Sequence, residues 1–322
     1  MLRLIRSRSL ASFAVFALLA PCVGSAASYV LPAGTDTVFG ATQRVVVTHE
    51  DTLLDIGRAH GVGYEEIVAA NPGVDPWLPG EGREVLIPSR YILPEAPREG
   101  IVVSLAEHRL YYFPRPKAGE PASVITYPIS VGRMDWTTPL GLTRVVDKRV
   151  KPIWYPPESV RKEHAEDGRP LPKAVPPGPD NPLGEYAMRL GIPGGAYLIH
   201  GTNKPAGVGM QVTHGCIRMY PEDIEQFFKM VPVNTPVRIV HQPYKMGWQG
   251  AELFIEVHAP LEGSQGGPRS LTDITRLLVA ATQDRPVPID WARAEEAFTR
   301  ASGVPVAVML GTATSQIAGS AE

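Results

Sequence analysis

Cysteine, charge of one sign and long apolar runs are all scarce in this sequence. The 322 residues include two cysteines, Cys22 and Cys216, which are too few for a scaffold built on several disulfides. Lys and Arg number 31 against 33 Asp and Glu, so the formal net charge is −2, and no basic block is present. This balance argues against nucleic acid or an anionic membrane surface as a partner. The longest apolar run, residues 10–20, is shorter than the roughly 20 residues that span a bilayer.

The N-terminus has the three parts of a secretory signal. Basic residues precede the apolar run and the small residues 24–27 follow it; the basic residues are Arg3, Arg6 and Arg8. This order predicts a signal peptide over residues 1–27, cut near Ala26 or Ala27, and an exported protein. A membrane anchor is the alternative, although the run is short for one. We expect no transmembrane segment in the mature chain.

Removal of that signal leaves Cys216 as the single cysteine of an exported protein. Thiols outside the cytoplasm normally pair in disulfides, so a single one needs an explanation. Cys216 is either a reactive group or a buried, inert side chain that packs like a small apolar residue. Composition alone leaves both open.

Residues 44–88 predict a small βααβ unit, after a segment at 28–43 whose Gly, Thr and Ala content predicts a linker. β-type runs open and close the unit, and two short helical patterns between them end at Gly61 and at Asn71-Pro72. The unit resembles the lysin motif (LysM), on Asp-Thr-Leu at 51–53, Ala-Asn-Pro at 70–72, Leu-Pro-Gly at 78–80 and Leu-Ile-Pro at 86–88. The resemblance implies binding to glycan strands; a structural spacer is the alternative.

Residues 99–241 predict a mainly β domain. Residues 101–105 and 109–113 indicate a hairpin, and further strand-like runs follow at 124–131, 142–146, 196–200 and 235–240. One helix is predicted over 221–231, because its apolar residues form a single stripe; they are Ile224, Phe227, Phe228 and Val231. Prolines crowd residues 151–182, which indicates either a lid or binding loop, or a solvated insertion.

The tail, residues 243–322, predicts a small α+β extension. Strand-like runs at 253–257 and 305–310 flank helical spacing at 272–281 and 290–302. Nothing in this segment indicates chemistry.

Two short segments of the β domain have residues suited to thiol chemistry. His200 ends a predicted strand and Cys216 follows Gly215 shortly before the predicted helix. A thiol attacks a carbonyl as thiolate and needs a base, while main-chain amides in a glycine turn suit a developing oxyanion. The alternatives are a structural histidine and a zinc site with His200, His214 and Cys216. Zinc is disfavoured because the spacing matches no paired zinc motif.

His-Gly at 200–201 followed by Thr-His-Gly-Cys-Ile-Arg at 213–218 closely resembles the signature of the L,D-transpeptidase catalytic family. The resemblance implies a mixed β-sandwich with one helix after the catalytic loop. It makes Cys216 the nucleophile and His200 its base, with the Gly201 carbonyl orienting the imidazole. His214 and Gly215 would shape the pocket and oxyanion hole, and Arg218 would hold a substrate carboxylate or brace the loop. No cofactor or metal is implied.

The same resemblance implies a periplasmic enzyme that acts on peptidoglycan stem peptides. A thioester at Cys216 would form with loss of the terminal D-Ala of a tetrapeptide stem. An amine would then open it, either to form a 3-3 diaminopimelate cross-link or to attach murein lipoprotein to the wall. The alternatives are an L,D-carboxypeptidase with the same site and a non-catalytic peptidoglycan-binding protein.

Overall fold

The computed structural model describes residues 27–133, 136–263 and 270–310. The predicted signal peptide lies outside the described residues, apart from Ala27. Within the described ranges, every helix is too short or too polar to cross a membrane.

Strands dominate the described residues, and six α-helices and one 3₁₀ turn at Pro205–Gly207 accompany them. The strands are β1 Ala27–Val30, β2 Val38–Gly40, β3 Gln43–Val46, β4 Glu84–Ile87, β5 Arg90–Ile92, β6 Gly100–Ser104, β7 Arg109–Phe113, β8 Ser123–Pro128, β9 Val131–Gly132, β10 Gly141–Val150, β11 Tyr186–Leu190, β12 Leu198–His200, β13 Gln211–Thr213, β14 Ile217–Arg218, β15 Pro236–Val240, β16 Tyr244–Gln249, β17 Glu252–Val257 and β18 Val306–Ala307. The helices are α1 Leu53–Ala59, α2 Tyr64–Ala70, α3 Glu158–Glu166, α4 Pro221–Met230, α5 Leu271–Thr282 and α6 Trp291–Arg300.

One nine-stranded sheet forms the central domain, in the order β1-β8-β7-β6-β15-β10-β11-β12-β14. It is parallel at β6–β15 and β12–β14 and antiparallel elsewhere. Side chains from both halves of this sheet share one core with α4, so the sheet curls around that helix. The prediction of a mainly β domain is confirmed. The predicted sandwich has two layers, and in the structure these layers are the two halves of one continuous sheet.

Two sequence predictions about this domain were wrong in part. The segment predicted as a linker at 28–43 carries β1, which pairs with β8, and β2, which pairs with β5. The Gly, Thr and Ala content of this segment led to the linker prediction, but the segment also contains two aromatic residues that pack together. The centroids of the Tyr29 and Phe39 rings are 5.0 Å apart. The proline-rich segment also contains α3, which the sequence did not predict.

Helix α4 lies where the sequence places it. Ile224, Phe227 and Val231 are each no more than 1% exposed, as their spacing predicts. Pro221 and two acidic residues stand in its first turn, where a fixed φ and negative charge favour a helix start. This helix follows directly on β14 and fixes the segment that carries Cys216.

The N-terminal unit consists of β3, α1, α2 and β4, with β3 and β4 antiparallel. Its own core includes Leu53, Ile67 and Ile87. The Thr52 hydroxyl accepts from the Asp55 amide in a capping box that starts α1. Whether this unit is a lysin motif stays a prediction.

The N-terminal unit is docked on the central domain by buried contacts. The Arg109 guanidinium on β7 donates to both Glu66 carboxylate oxygens at 2.7 Å. At the start of α2, the amide of Tyr64 donates to the Val208 carbonyl at 3.2 Å. A Cβ built on Gly209 would lie 2.3 Å from the Tyr64 nitrogen, so the two backbones approach as closely as glycine permits. The segment leading to Cys216 is therefore held by the N-terminal unit.

The C-terminal segment forms the sheet β16-β17-β18, covered by α5 and α6. Strand β16 was not predicted and pairs along its length with β17. Gly247 on β16 approaches Thr37 and Ile92, so this segment packs on the strands that precede the central domain.

Candidate active site

His200 lies at the end of β12 with its imidazole buried. Its Nδ1 is 2.6 Å from the carbonyl oxygen of Gly201. Because a carbonyl can only accept, this contact assigns the proton to Nδ1 and leaves the lone pair on Nε2. This is the contact with Gly201 that the family resemblance led us to expect.

Cys216 is a free, half-buried cysteine in the turn between β13 and β14. β14 runs parallel to β12, with Ile217 opposite Ile199 and Arg218 opposite His200. Because paired residues of neighbouring strands share a face of the sheet, the side chains of Arg218 and His200 project to the same side, and Cys216 lies one residue before β14. The thiol donates to the Ala196 carbonyl, 3.6 Å away, and not to the imidazole.

Arg218 stands beside both groups and has no described acidic partner. Its Nε is buried and has no hydrogen-bond partner among the described residues. Its positive charge lowers the pKa of His200 and also the pKa of Cys216. A partly buried guanidinium without a described acidic partner suits a carboxylate of the substrate.

Burial controls the protonation of the two central groups. It lowers the pKa of His200 to about 3, with the Arg218 charge as second cause and the Gly201 carbonyl opposing both. It raises the pKa of Cys216 to about 11, against the opposing effects of the Leu198 backbone and of Arg218. Both groups are therefore neutral near pH 7, and a neutral imidazole is able to accept the thiol proton.

The turn before Cys216 is shaped by Gly215, whose φ of 92° favours glycine. The Thr138 hydroxyl donates to the Gly215 carbonyl at 3.0 Å, and the Thr213 hydroxyl donates to the Cys216 carbonyl at 2.6 Å. These bonds turn the carbonyls inward. Within the described ranges no group accepts a hydrogen bond from the amides of Gly215 or Cys216. Two free amides beside the sulfur can serve a developing oxyanion.

His214 belongs to a polar cluster that sequence reasoning missed. Its Nε2 lies 3.1 Å from the Glu163 carboxylate on α3 and 3.3 Å from the Arg133 guanidinium, and these two side chains also pair with each other. The Trp136 ring stands edge-on to the imidazole, with centroids 5.2 Å apart. His214 therefore braces the loop around the thiol, and α3 brings part of the proline-rich segment to the site. No local sequence signal marks Arg133 or Glu163.

The described residues contain one close group of potential metal ligands, and it lies elsewhere. It consists of Glu107, Glu256 and His258 and includes none of the residues weighed as a zinc site. His200 and His214 each have a ring nitrogen engaged by protein groups.

Comparisons with known proteins agree with the geometry. Residues 98–239 match the model of the YkuD L,D-transpeptidase catalytic domain. The chain is 42% identical over 248 residues to the probable L,D-transpeptidase YcfS of Escherichia coli K12, covering 76% of each chain. The chain belongs to the L,D-transpeptidase family.

Two further L,D-transpeptidases align over nearly the full length. Probable L,D-transpeptidase ErfK/SrfK of Salmonella typhimurium is 37% identical over 310 residues, covering 93% of this chain and 96% of the relative. Probable L,D-transpeptidase YbiS of Escherichia coli K12 is 36% identical over 305 residues, covering 91% and 96%. The family identified from the motif at 200–201 and 213–218 is thus confirmed, and this L,D-transpeptidase shares its flanking segments with these relatives.

Proposed function

We propose that this L,D-transpeptidase is exported to the periplasm and acts on peptidoglycan stems with Cys216 as nucleophile and His200 as base. The observation that carries the proposal is the common face of β12 and β14. There the Gly201 carbonyl fixes the His200 imidazole, His200 pairs with Arg218, and Cys216 with its free amide lies one residue before β14. The family resemblance supplies the substrate: a tetrapeptide stem with diaminopimelate as third residue.

The first half-reaction forms a thioester and releases D-Ala. His200 Nε2 takes the thiol proton as the sulfur attacks the carbonyl of the L-centre of diaminopimelate. The Gly215 and Cys216 amides donate to the resulting oxyanion. The intermediate collapses by breaking the bond to D-Ala, whose nitrogen takes the proton from His200 and leaves as a neutral amine. This order of proton transfers suits the neutral resting state of Cys216 and His200, because no buried charge pair has to be maintained before the sulfur attacks.

The second half-reaction transfers the acyl group to an amine. The acceptor amine attacks the thioester carbonyl and gives a proton to His200, and the sulfur leaves and recovers that proton. An amine of a second diaminopimelate yields a 3-3 cross-link, and a lysine of murein lipoprotein yields a protein tethered to the wall. Arg218 holds a stem carboxylate in both steps, since its guanidinium has no described acidic partner.

Product analysis tests this proposal. Purified mature protein is incubated with tetrapeptide muropeptides, with and without a lysine-ending acceptor peptide, and the products are separated and weighed. We expect cross-linked dimers or peptide adducts, and none with Cys216→Ala. Tripeptides alone would show that water is the acceptor and that the protein is a carboxypeptidase. Unchanged substrate with wild-type protein would support a non-catalytic wall-binding protein.

We also propose that the N-terminal unit binds glycan strands, as the lysin-motif resemblance implies. Its loop exposes Trp77 and Leu78, which are 57% and 81% accessible, and an exposed indole is a suitable platform for a sugar ring. Trp77→Ala should reduce co-sedimentation of the full chain with insoluble peptidoglycan. Trp291→Ala is the matched control, because Trp291 on α6 is 50% accessible, close to the value for Trp77. Equal losses for both variants would contradict glycan binding by this unit.

A further inference from the structure

The side of the central sheet that carries His200 and Arg218 extends beyond these two residues. Met188 on β11 and Ile199 on β12 point into the core shared with α4. Their neighbours along each strand point to the opposite side, because successive side chains of a strand alternate. His200 lies opposite Ala187 on β11 and Arg218 on β14, so these residues share that opposite side. We call it the outer face of the sheet.

Arginines continue the outer face across the next three strands, β11, β10 and β15. Arg189 stands between two core residues of β11, and Arg144 on β10 precedes the core residue Val145. Arg238 on β15 lies opposite Leu142, which is two residues before Arg144 and on the same side of β10. Neighbouring strands are about 4.7–4.9 Å apart, so β12 and β15, three spacings apart, are separated by about 14 Å.

The charge of these strands is unbalanced, although the whole chain has a formal charge of −2. Together β10, β11, β12, β14 and β15 contain five arginines against one acidic residue. That residue, Asp147, pairs with Arg149 at 2.7 Å and lies opposite Arg189. Among the described residues, no carboxylate forms an ion pair with Arg144, Arg189 or Arg238. The outer face therefore has an excess of positive charge.

The outer face is open to solvent and partly apolar around these arginines. Arg144 and Arg189 are exposed. Leu142 and Val146, on either side of Arg144 along β10, are 70% and 38% accessible. Arginine among exposed apolar side chains is typical of a contact surface. Because its residues come from separate strands, this surface is not visible in the sequence as a basic block.

The proposed substrate supplies the matching negative groups. A tetrapeptide stem has a carboxylate on its terminal D-Ala, and the side chain of diaminopimelate ends in another. Stems recur along a wall strand, so the stems next to the reacting one bring further carboxylates to the outer face. A guanidinium can bind a carboxylate through two parallel hydrogen bonds. An anionic membrane would match the charge as well, but a membrane lying on this face would cover the catalytic residues and exclude the stem.

We propose that the outer face, through Arg144, Arg189 and Arg238, binds carboxylates of the stem peptides beside the stem that reacts. This inference rests on the proposed function, because it concerns the substrate of the same site. It makes the preferred acyl donor a wall strand with several stems rather than an isolated stem.

The experiment compares two soluble acyl donors on the mature full chain. One is a disaccharide with a single tetrapeptide stem, and the other is a short glycan oligomer with several such stems. The kcat/KM for D-Ala release, expressed per stem, is measured at low and at high ionic strength. Wild type should prefer the oligomer by about tenfold at low ionic strength, since each exposed ion pair contributes about twofold and three are formed. Salt should reduce this preference, and so should amidation of the diaminopimelate side-chain carboxylates.

The outer-face variant, R144Q/R189Q/R238Q, should reduce the preference to about twofold or less. Its rate with the single stem should stay at the wild-type value, because none of the three residues belongs to the catalytic site. This unchanged rate also shows that the variant is folded.

The matched control is R276Q/R293Q/R300Q, which removes the same charge from exposed arginines of α5 and α6 and should keep the preference. Equal rates per stem with wild type would overturn the inference, as would a preference that the outer-face variant retains or that both variants lose. Weaker binding of the outer-face variant to anionic phospholipid vesicles, with an unchanged preference for the oligomer, would overturn it in favour of a membrane. Absence of D-Ala release from either donor by wild type would instead overturn the proposed function.

Discussion

The Nδ1 of His200 lies 2.6 Å from the carbonyl oxygen of Gly201, so a backbone group of the next residue fixes the tautomer of the imidazole. In other nucleophile–histidine pairs an acidic or amide side chain does this. A carbonyl carries no net charge and stabilises an imidazolium less than a carboxylate would. This difference fits a histidine that is neutral at rest and receives a proton only during the reaction.

The neutral resting pair predicts an unusual pH dependence. Because burial raises the pKa of Cys216 to about 11, alkylation by iodoacetamide should rise about tenfold per pH unit from pH 7 to 10 without a plateau. Because burial lowers the pKa of His200, thioester formation should remain active below pH 6.5, where an ordinary histidine protonates. An alkylation plateau near neutral pH would instead indicate a thiolate–imidazolium pair.

His200→Gln should slow thioester formation about 10²–10⁴-fold, because it removes the base that accepts the thiol proton.

Docking of the N-terminal unit should matter for the catalytic loop. An alanine at Gly209 would place its Cβ 2.3 Å from the Tyr64 nitrogen and force the two backbones apart. We expect Gly209→Ala to slow thioester formation and to lower the unfolding temperature. Gly80→Ala is the matched control, because φ is 92° at Gly80 and 88° at Gly209, yet nothing lies within 4 Å of a Cβ at Gly80. Equal effects of both substitutions would contradict a role for docking and would show that backbone strain at a positive φ is the cause.

The buried pair Arg109–Glu66 should be far more sensitive to substitution than the neighbouring pair Arg58–Glu222. Glu66→Gln leaves the fully buried Arg109 charge without a counter-ion and should lower the free energy of unfolding by about 3–5 kcal/mol. Glu222→Gln affects a partly exposed pair and should cost about 1 kcal/mol or less. Denaturant unfolding of the two variants measures both values. A small effect of Glu66→Gln would mean that the N-terminal unit is not tightly docked.

Asp223 should make the protein less stable as pH rises. Burial, and then the charge of Glu222, raise its pKa to about 7. The folded state therefore binds more protons than the unfolded state between about pH 4 and 7, and stability falls across this range. Asp223→Asn removes this dependence, so between pH 4 and pH 8 the variant should gain about 4 kcal/mol of stability relative to wild type. A stability difference that does not change with pH would contradict the raised pKa.

The parts that could be predicted from sequence are those set by local pattern. The hairpin β6–β7 follows from two runs rich in β-branched and aromatic residues around a short turn, and α4 follows from its apolar stripe. His200 and Cys216 were found because the family motif keeps them close along the chain.

The parts that could not be predicted depend on distant partners. β1 gains its place by pairing with β8, almost a hundred residues further on, and its composition gives no sign of this. Glu163 reaches His214 only because α3 folds back over the catalytic loop. The arginines of the outer face come from three separate strands, and their alignment is a property of the sheet alone.

The measurement that tests the account most directly is the mass of the acyl-enzyme. Mature protein is mixed with a tetrapeptide stem, quenched in acid within the first turnover, digested and mapped. We predict an adduct of the stem less one D-Ala, on the peptide that carries Cys216, with one D-Ala released per adduct. No adduct should form on Cys216→Ser. Release of D-Ala by that variant at the wild-type rate, or an adduct on another residue, would contradict the assignment of Cys216 as the nucleophile.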